Sequence, residues 1–346
     1  MYEESVARKI LVEAGHELLK NGLVARTWGN ISARISDEEF LITPSGISYE
    51  RLTPEMLVKV RISDLKYDSD LKPSSEKGIH AAAYKLQKDT NFIIHTHQTF
   101  ATAVSITGRA IKVKGPLQEV LGELVPVAEY GMPSTEKLKE NVKTTLLRNP
   151  GLRASLLINH GAVCFGHDME NAFDIAKSLE YLAKNEFDNK VTLSDEAGRF
   201  NANVEAVVKS LFEGKTIRMI TDPVVLQAAN SDAYNYRLLD DFIQIAGTSI
   251  KTIDFAHLEI GNKDDRRQGI SRIKHALRKR NAAFVRKSGA IVVAPNEDEA
   301  DAIEMILKKY ALTKLYAEKC HAVHKLEFID AFIQRLVYLK KYSKKA

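Results

Sequence analysis

The chain has 346 residues, 45% hydrophobic and 27% charged, which supplies hydrophobic cores, excludes wholesale disorder and favours two domains over one. Its formal charge of +5 is modest, and much of the excess sits in RRQGISRIKHALRKR (266–280) and the terminal KKYSKKA, which read as solvated faces and not as a nucleic-acid surface. Cys164 and Cys320 stand far apart, no run approaches the roughly 18 apolar residues of a membrane span, and MYEESVARKILVEAGHELL has no leader pattern, so a cytoplasmic, disulfide-free protein that neither crosses nor binds membrane is expected.

Val6, Ile10, Leu11, Ala14, Leu18 and Leu19 recur at helical spacing over residues 4–21, and NGL ends that helix. ISARIS and EEFLITP form a hairpin joined by the polar DEE and ended by the turn PSG at 44–46, and LVKVRIS (57–63) adds a third strand. The serines of PSSEKGIHAAAYKLQ cap a helix at about 75–88. NFIIHTH follows as a buried strand and ATAVSITG as a helical turn. IKVKGP, LVPVAEY and ASLLINHGAVCFG are further strands, with a helix at 135–147 among them, and MENAFDIAKSLEYLAKNEFDNKV is a long amphipathic helix. Helices mixed with many short neighbouring strands predict a layered α/β sandwich more than strict βαβ alternation.

The polar stretch DEAGRFNAN (195–203) reads as a linker, giving one domain over 1–194 and a smaller α/β domain over 204–346. Beyond it the pattern partly recurs. LLINHGAVCFGHDMENAFDIAKSLEYLAK lines up with FVRKSGAIVVAPNEDEADAIEMILKKYAL, and NFIIHTHQT with DFIQIAGTS (241–249). Ile245, Gly247 and Ser288 then stand where His95, His97 and His160 do, as in a diverged copy that has lost its metal ligands. Chance similarity between two strand–turn–helix units is the alternative.

Residues two apart in a strand share a face, so His95 and His97 of IIHTH project side by side toward one ion. HxH alone is a weak signal, because either histidine can sit satisfied in a core. His160 ends the apolar strand SLLI just before Gly161, and three imidazoles with an open position make a catalytic zinc-type site. The other seven histidines, His80 among them, lack such partners and read as structural or surface residues. Glu76 opens a helix after Ser74 and Ser75, where a carboxylate can serve as a cap. The same helix start, with the turns holding Asn30, Thr43, Ser45 and Gly46, also offers donors for an anion.

The ordered series GNISAR, ITPSGISYERL, KPSSE, HTH followed by ATAVS, and NHG closely resembles the class II aldolase/adducin family, nearest its fuculose-phosphate aldolase branch, over about residues 4–190. The resemblance implies a three-layer α/β/α sandwich around a mostly antiparallel sheet. It implies a zinc ion, or another divalent transition metal, held by His95, His97 and His160, with Glu76 as catalytic acid/base. Gly29 with Asn30, Ser45 with Gly46, and Ser74 with Ser75 match the family's phosphate-binding pairs. The implied reaction is cleavage of a small-molecule sugar phosphate, a ketose 1-phosphate, to dihydroxyacetone phosphate and an aldehyde, in a homo-oligomer. An apolar wall and nearby phosphate are expected to raise the Glu76 pKa. Pro116 stands near the branch's leaving-group tyrosine, for which Tyr49 and Tyr130 are the nearby alternatives, and the C-terminal extension is foreign to the branch. Other readings on the same scaffold are a methylthioribulose-phosphate-type dehydratase, an epimerase, a decarboxylase or a non-catalytic adducin-like interaction module. The epimerases carry Asp where Glu76 stands.

Overall fold

Helix α1 (Glu4–Lys20) forms where the apolar stripe begins, its first turn capped by the Glu3 carboxylate, which accepts the N–H groups of Ser5 (3.1 Å) and Val6 (3.2 Å). The structure, a computed structural model, describes residues 1–24, 28–254 and 263–341; Thr27, His257 and the tail 342–346 lie outside the described residues. Two compact units are present, Met1–Phe187 and Asp188–Ala346.

After α1 the first unit runs β1 (Asn30–Arg34), β2 (Glu39–Ile42), β3 (Val58–Arg61), α2 (Lys77–Leu86), β4 (Phe92–Thr96), α3 (Thr99–Ser105), β5 (Ile111–Lys112), α4 (Leu117–Leu121), β6 (Leu124–Val125), β7 (Val127–Ala128), α5 (Glu136–Arg148), β8 (Ala154–Leu157), β9 (Gly161–Gly166) and α6 (Met169–Asp188). Its seven-stranded sheet has the order β3-β2-β1-β4-β9-β8-β7, with β7/β8 parallel and the other neighbours antiparallel. Phe40, Val58, Ile93 and Val163 face one way into a core with Ile79 and Tyr84 of α2 and Leu138 and Val142 of α5. The intervening Ile31, Leu41, Ile94 and Cys164 are also buried, on the opposite face, where α1 covers β1 and β2. Covered on both sides, the central strands read as continuous apolar runs instead of alternating ones. IKVKGP supplies only the two-residue β5, and LVPVAEY is split at Pro126, which has no N–H for a ladder, into β6 on β5 and β7 on β8.

The second unit runs α7 (Ala202–Leu211), β10 (Thr216–Ile220), α8 (Pro223–Asn230), α9 (Asp240–Ala246), β11 (Thr252–Ile253), α10 (Lys263–Leu277), β12 (Ala282–Val285), β13 (Gly289–Ala294), α11 (Glu297–Glu318) and α12 (Phe328–Lys341). Its sheet order, β10-β13-β12-β11, repeats β4-β9-β8-β7 with the same strand directions. The register repeats as well: Leu157 opposite Gly161 and Thr96 opposite Ala162 match Val285 opposite Gly289 and Ile220 opposite Ala290. DFIQIAGTS is therefore not the counterpart of NFIIHTHQT. It forms α9 with Phe242, Ile243, Ile245 and Ala246 buried, a helical period where an alternating one was expected. Register makes β10 the counterpart of β4, so Met219, Thr221 and Ser288 occupy the positions of His95, His97 and His160.

Each hairpin turns through a left-handed residue, Asn159 (φ 62°) or Lys287 (φ 64°), and then a glycine. A Cβ on Gly161 would stand 2.1 Å from Thr96 O, and one on Gly289 2.0 Å from Ile220 O, so the strands close only on glycine. Gly161→Ala is expected to push β9 off β4 and cost about 3 kcal/mol, read by urea unfolding; a change below about 0.5 kcal/mol would contradict this packing. Among the described residues no helix is long and apolar enough to cross a membrane.

Candidate metal centre

His95 is the fourth residue of β4 and His97 lies one residue beyond its end, so both rings leave the same face. His160 reaches the same point from the β8–β9 turn, where its N–H donates to Leu157 O at 3.1 Å. The Nε2 atoms of His97 and His160 each lie 3.2 Å from His95 Nε2. Nitrogens bound at 2.0–2.1 Å around one tetrahedral ion stand roughly 3.3 Å apart, so the spacing fits a zinc-sized divalent cation. The donor set fits too: three imidazoles within 4.8 Å of one another and a carboxylate beside them. His95 Nδ1–H donates to Ala162 O at 2.9 Å, which leaves the Nε2 lone pair for a cation.

Glu76 is the N-cap residue of α2, yet its side chain makes no capping bond; it turns inward, 3.1 Å from His95 Nε2 and 3.3 Å from His160 Nε2. Burial alone raises its pKa, but the two adjacent imidazoles outweigh that and hold the carboxyl well below the usual carboxylate range. The direction is opposite to the rise expected from an apolar wall.

A second set of side chains holds the carboxylate in place. Asn30, paired with His95 across β1 and β4, donates from Nδ2 to Glu76 Oε2 at 3.2 Å. That fixes its amide, so Oδ1 accepts from His80 Nε2–H at 2.5 Å. With its proton on Nε2, His80 accepts at Nδ1 from Ser32 O–H (2.6 Å), and Ser32 accepts from Tyr84 O–H (2.7 Å). The chain of donors runs one way, from Tyr84 to the carboxylate, and requires a neutral His80. Burial, helped by nearby His95, lowers the His80 pKa to about 3. His80 is thus a buried structural histidine, as the sequence suggests, that links Ser32 to Asn30 behind the carboxylate. Glu76, His80 and Tyr84 recur at i, i+4, i+8 on α2, while Asn30 and Ser32 alternate on β1; those two periods were the signal for the network.

The sign of the pH effect follows. An unfolded His80 takes a proton near pH 6.5 and the folded one only near pH 3, so its stabilising contribution is complete above 6.5 and is lost as pH falls toward 3. Between pH 6.5 and 5 the loss is about 2 kcal/mol. In chelator-treated protein, His80→Gln is expected to reduce the stability difference between pH 7.5 and 5 by that amount, measured by urea unfolding; parallel pH profiles would rule it out.

The remaining sequence candidates lie in nearby turns. Gly29 (φ 79°) brings the backbone against His95, where a Cβ would meet His95 O at 2.5 Å. The Ser45–Gly46 turn is tied to the Ser74–Ser75 segment by Ser45 N–H to Lys72 O (2.8 Å) and Ser74 N–H to Thr43 O (3.0 Å). Ser74 Oγ accepts from Glu76 N–H at 3.3 Å, and the exposed Ser75 hydroxyl meets Ser134 Oγ at 2.6 Å. Pro116 caps α4, Tyr49 is packed in the core against Gly15, and Tyr130 follows β7 and is largely buried.

A family model, Class II Aldolase and Adducin N-terminal domain, matches residues 9–187. The chain is similar to the L-fuculose phosphate aldolase of Escherichia coli strain K12, 35% identical over 185 residues that cover 53% of this chain and 83% of the relative. It is also similar to a 3-oxo-tetronate 4-phosphate decarboxylase of Haemophilus influenzae, 32% identical over 186 residues, covering 51% and 85%. Among solved structures, an L-fuculose 1-phosphate aldolase aligns at 30% identity and TM-score 0.48, covering 55% of this chain and 91% of the other. The chain belongs to the class II aldolase and adducin N-terminal domain family.

Proposed function

We propose that the first unit, with boundaries close to residues 1–194, is a divalent-metal-dependent aldehyde-lyase that cleaves a ketose 1-phosphate to dihydroxyacetone phosphate and an aldehyde. The observation that carries this reading is the meeting of three imidazole nitrogens, 3.2 Å apart along two edges, with the Glu76 carboxylate. His95, His97 and His160 would hold the cation. Held there, a zinc-type ion supplies Lewis-acid polarisation of the substrate carbonyl and stabilises the negative charge left when the adjacent carbon–carbon bond breaks.

Glu76 moves the proton. In cleavage the Glu76 carboxylate takes the proton of the C4 hydroxyl as the C3–C4 bond electrons pass to C3, and the carboxyl so formed delivers that proton to C3; in condensation the same transfers run in reverse. Asn30 and His80 keep the carboxylate aimed while this happens. The donors of Gly29–Asn30, Ser45–Gly46 and Ser74–Ser75 are the proposed phosphate site, a role supported by left-handed glycine turns at 29 and 46 and by the bonds that tie the last two segments together.

A cation held by the same three imidazoles would also stabilise the charge left by loss of carbon dioxide, with Glu76 as the proton donor, and one relative is a decarboxylase. Purified protein is expected to carry about one equivalent of a divalent transition metal and to release dihydroxyacetone phosphate from a panel of ketose 1-phosphates. Carbon dioxide from a 3-oxo acid phosphate, without triose phosphate, would replace aldol cleavage by decarboxylation. Metal-free, inert protein would leave an adducin-like binding module.

A further inference from the structure

The last helix, α12, leaves half of its circumference apolar and bare. Its inner face is committed: Ala331, Gln334 and Tyr338 are buried, Gln334 Nε2 donates to Asp240 Oδ1 at 2.7 Å, and Tyr338 O–H donates to Glu299 Oε2 at 2.9 Å. The outer face carries Phe328, Ile329, Phe332, Ile333, Leu336 and Val337, each between 37% and 69% exposed. Their spacing of i, i+1, i+4, i+5, i+8, i+9 makes one unbroken stripe along three turns. Other large exposed apolar residues, such as Val6, Tyr67, Leu147 and Tyr181, are scattered singly. With aliphatic and aromatic side chains at roughly 150–200 Å² each, the stripe exposes about 500 Å², the upper range for a monomer surface.

We propose that α12 pairs antiparallel with the α12 of a second copy of this chain, about a two-fold axis. Two observations select that occupant. The patch supplies well over half of the about 800 Å² per partner in a standard interface, so two copies meeting stripe to stripe come close to a stable dimer. Arg335, in the middle of the helix, is turned inward, donating to Gln244 O at 2.6 Å and Ile245 O at 2.7 Å, so the charges left for a partner lie at the ends of the stripe and have opposite sign: Glu327 and Asp330 at the start, Lys340 at the finish. An antiparallel pair sets the acidic start of each helix beside the basic end of its mate, whereas a parallel pair stacks like on like. A membrane surface is a poorer match, because an interfacial helix borders its apolar face along its length with free basic residues, whereas here Asp330 stands at that border, Arg335 is committed to the Gln244 and Ile245 carbonyls, and a basic residue free for lipid stands only at the far end.

Light scattering of the full chain after size exclusion tests the pairing. Phe332→Glu is expected to halve the particle mass and raise the dimer dissociation constant at least 100-fold, with aldolase activity and circular dichroism retained. Glu327→Lys or Lys340→Glu alone is expected to weaken the pair about threefold to tenfold, and the two together to restore it, a result that misfolding cannot imitate. Unchanged mass in Phe332→Glu would overturn the proposal, as would failure of the double charge reversal to restore pairing. Binding of the wild type to phosphatidylserine vesicles, lost in Phe332→Glu with no change of mass, would overturn it in favour of a lipid surface.

Discussion

Replacing Glu76 with glutamine is expected to lower turnover by about 10³-fold while leaving the bound metal in place. The substitution keeps the side chain's shape and removes its capacity to carry a proton. His95 and His160 lie 3.1 and 3.3 Å from the carboxylate and converge with His97, so all three imidazoles survive the change. Asn30 Nδ2 still finds an acceptor in the glutamine oxygen. The loss should therefore fall on kcat, with KM and metal content close to those of the parent. Activity within about tenfold of the parent would assign the proton transfer to another group.

His95→Ala is the second large effect expected from the proposed site, because His95 Nε2 is 3.2 Å from the Nε2 atoms of His97 and His160 and 3.1 Å from Glu76. With two imidazoles left, metal affinity is expected to fall by more than 10³-fold and turnover with it. A ligand that binds only the folded state at a hundred times its dissociation constant stabilises by about 2.7 kcal/mol, so the parent should lose about that much on chelation. The variant should lose almost nothing. The chelation increment in thermal unfolding, compared between the two proteins, separates ligation from packing: an equal increment in both would remove His95 from the ligand set.

The convergence of the three histidines was legible because a strand's period of two puts His95 and His97 on one side, and because Gly161 marks where a strand must turn beside His160. The network behind Glu76 was equally present, since Glu76, His80 and Tyr84 repeat every four residues, but a lone buried histidine on an alanine-rich helix reads first as core. The inward turn of Glu76 depends on a tertiary choice: two imidazoles outbid the helix's own N–H groups for the carboxylate. In the second unit, the alignment of DFIQIAGTS with NFIIHTHQT set a helix against a strand. That unit's β12–β13–α11 run keeps the apolar pattern of β8–β9–α6, whereas TIRMI shares with FIIHT little beyond strand character. Hydrogen-bond register, which no composition reveals, shows that those two strands correspond.

That correspondence bears on why the histidines exist at all. The second unit makes the same four-strand ladder and left-handed hairpin with methionine, threonine and serine at the three positions, so the architecture does not need imidazoles in order to close. Crowding three basic nitrogens and an acid inside a protein opposes folding unless something compensates them. The strand ladder is thus indifferent to the three side chains that the first unit gathers, which agrees with the proposed role of those residues in gripping a cation and not in supporting the sheet.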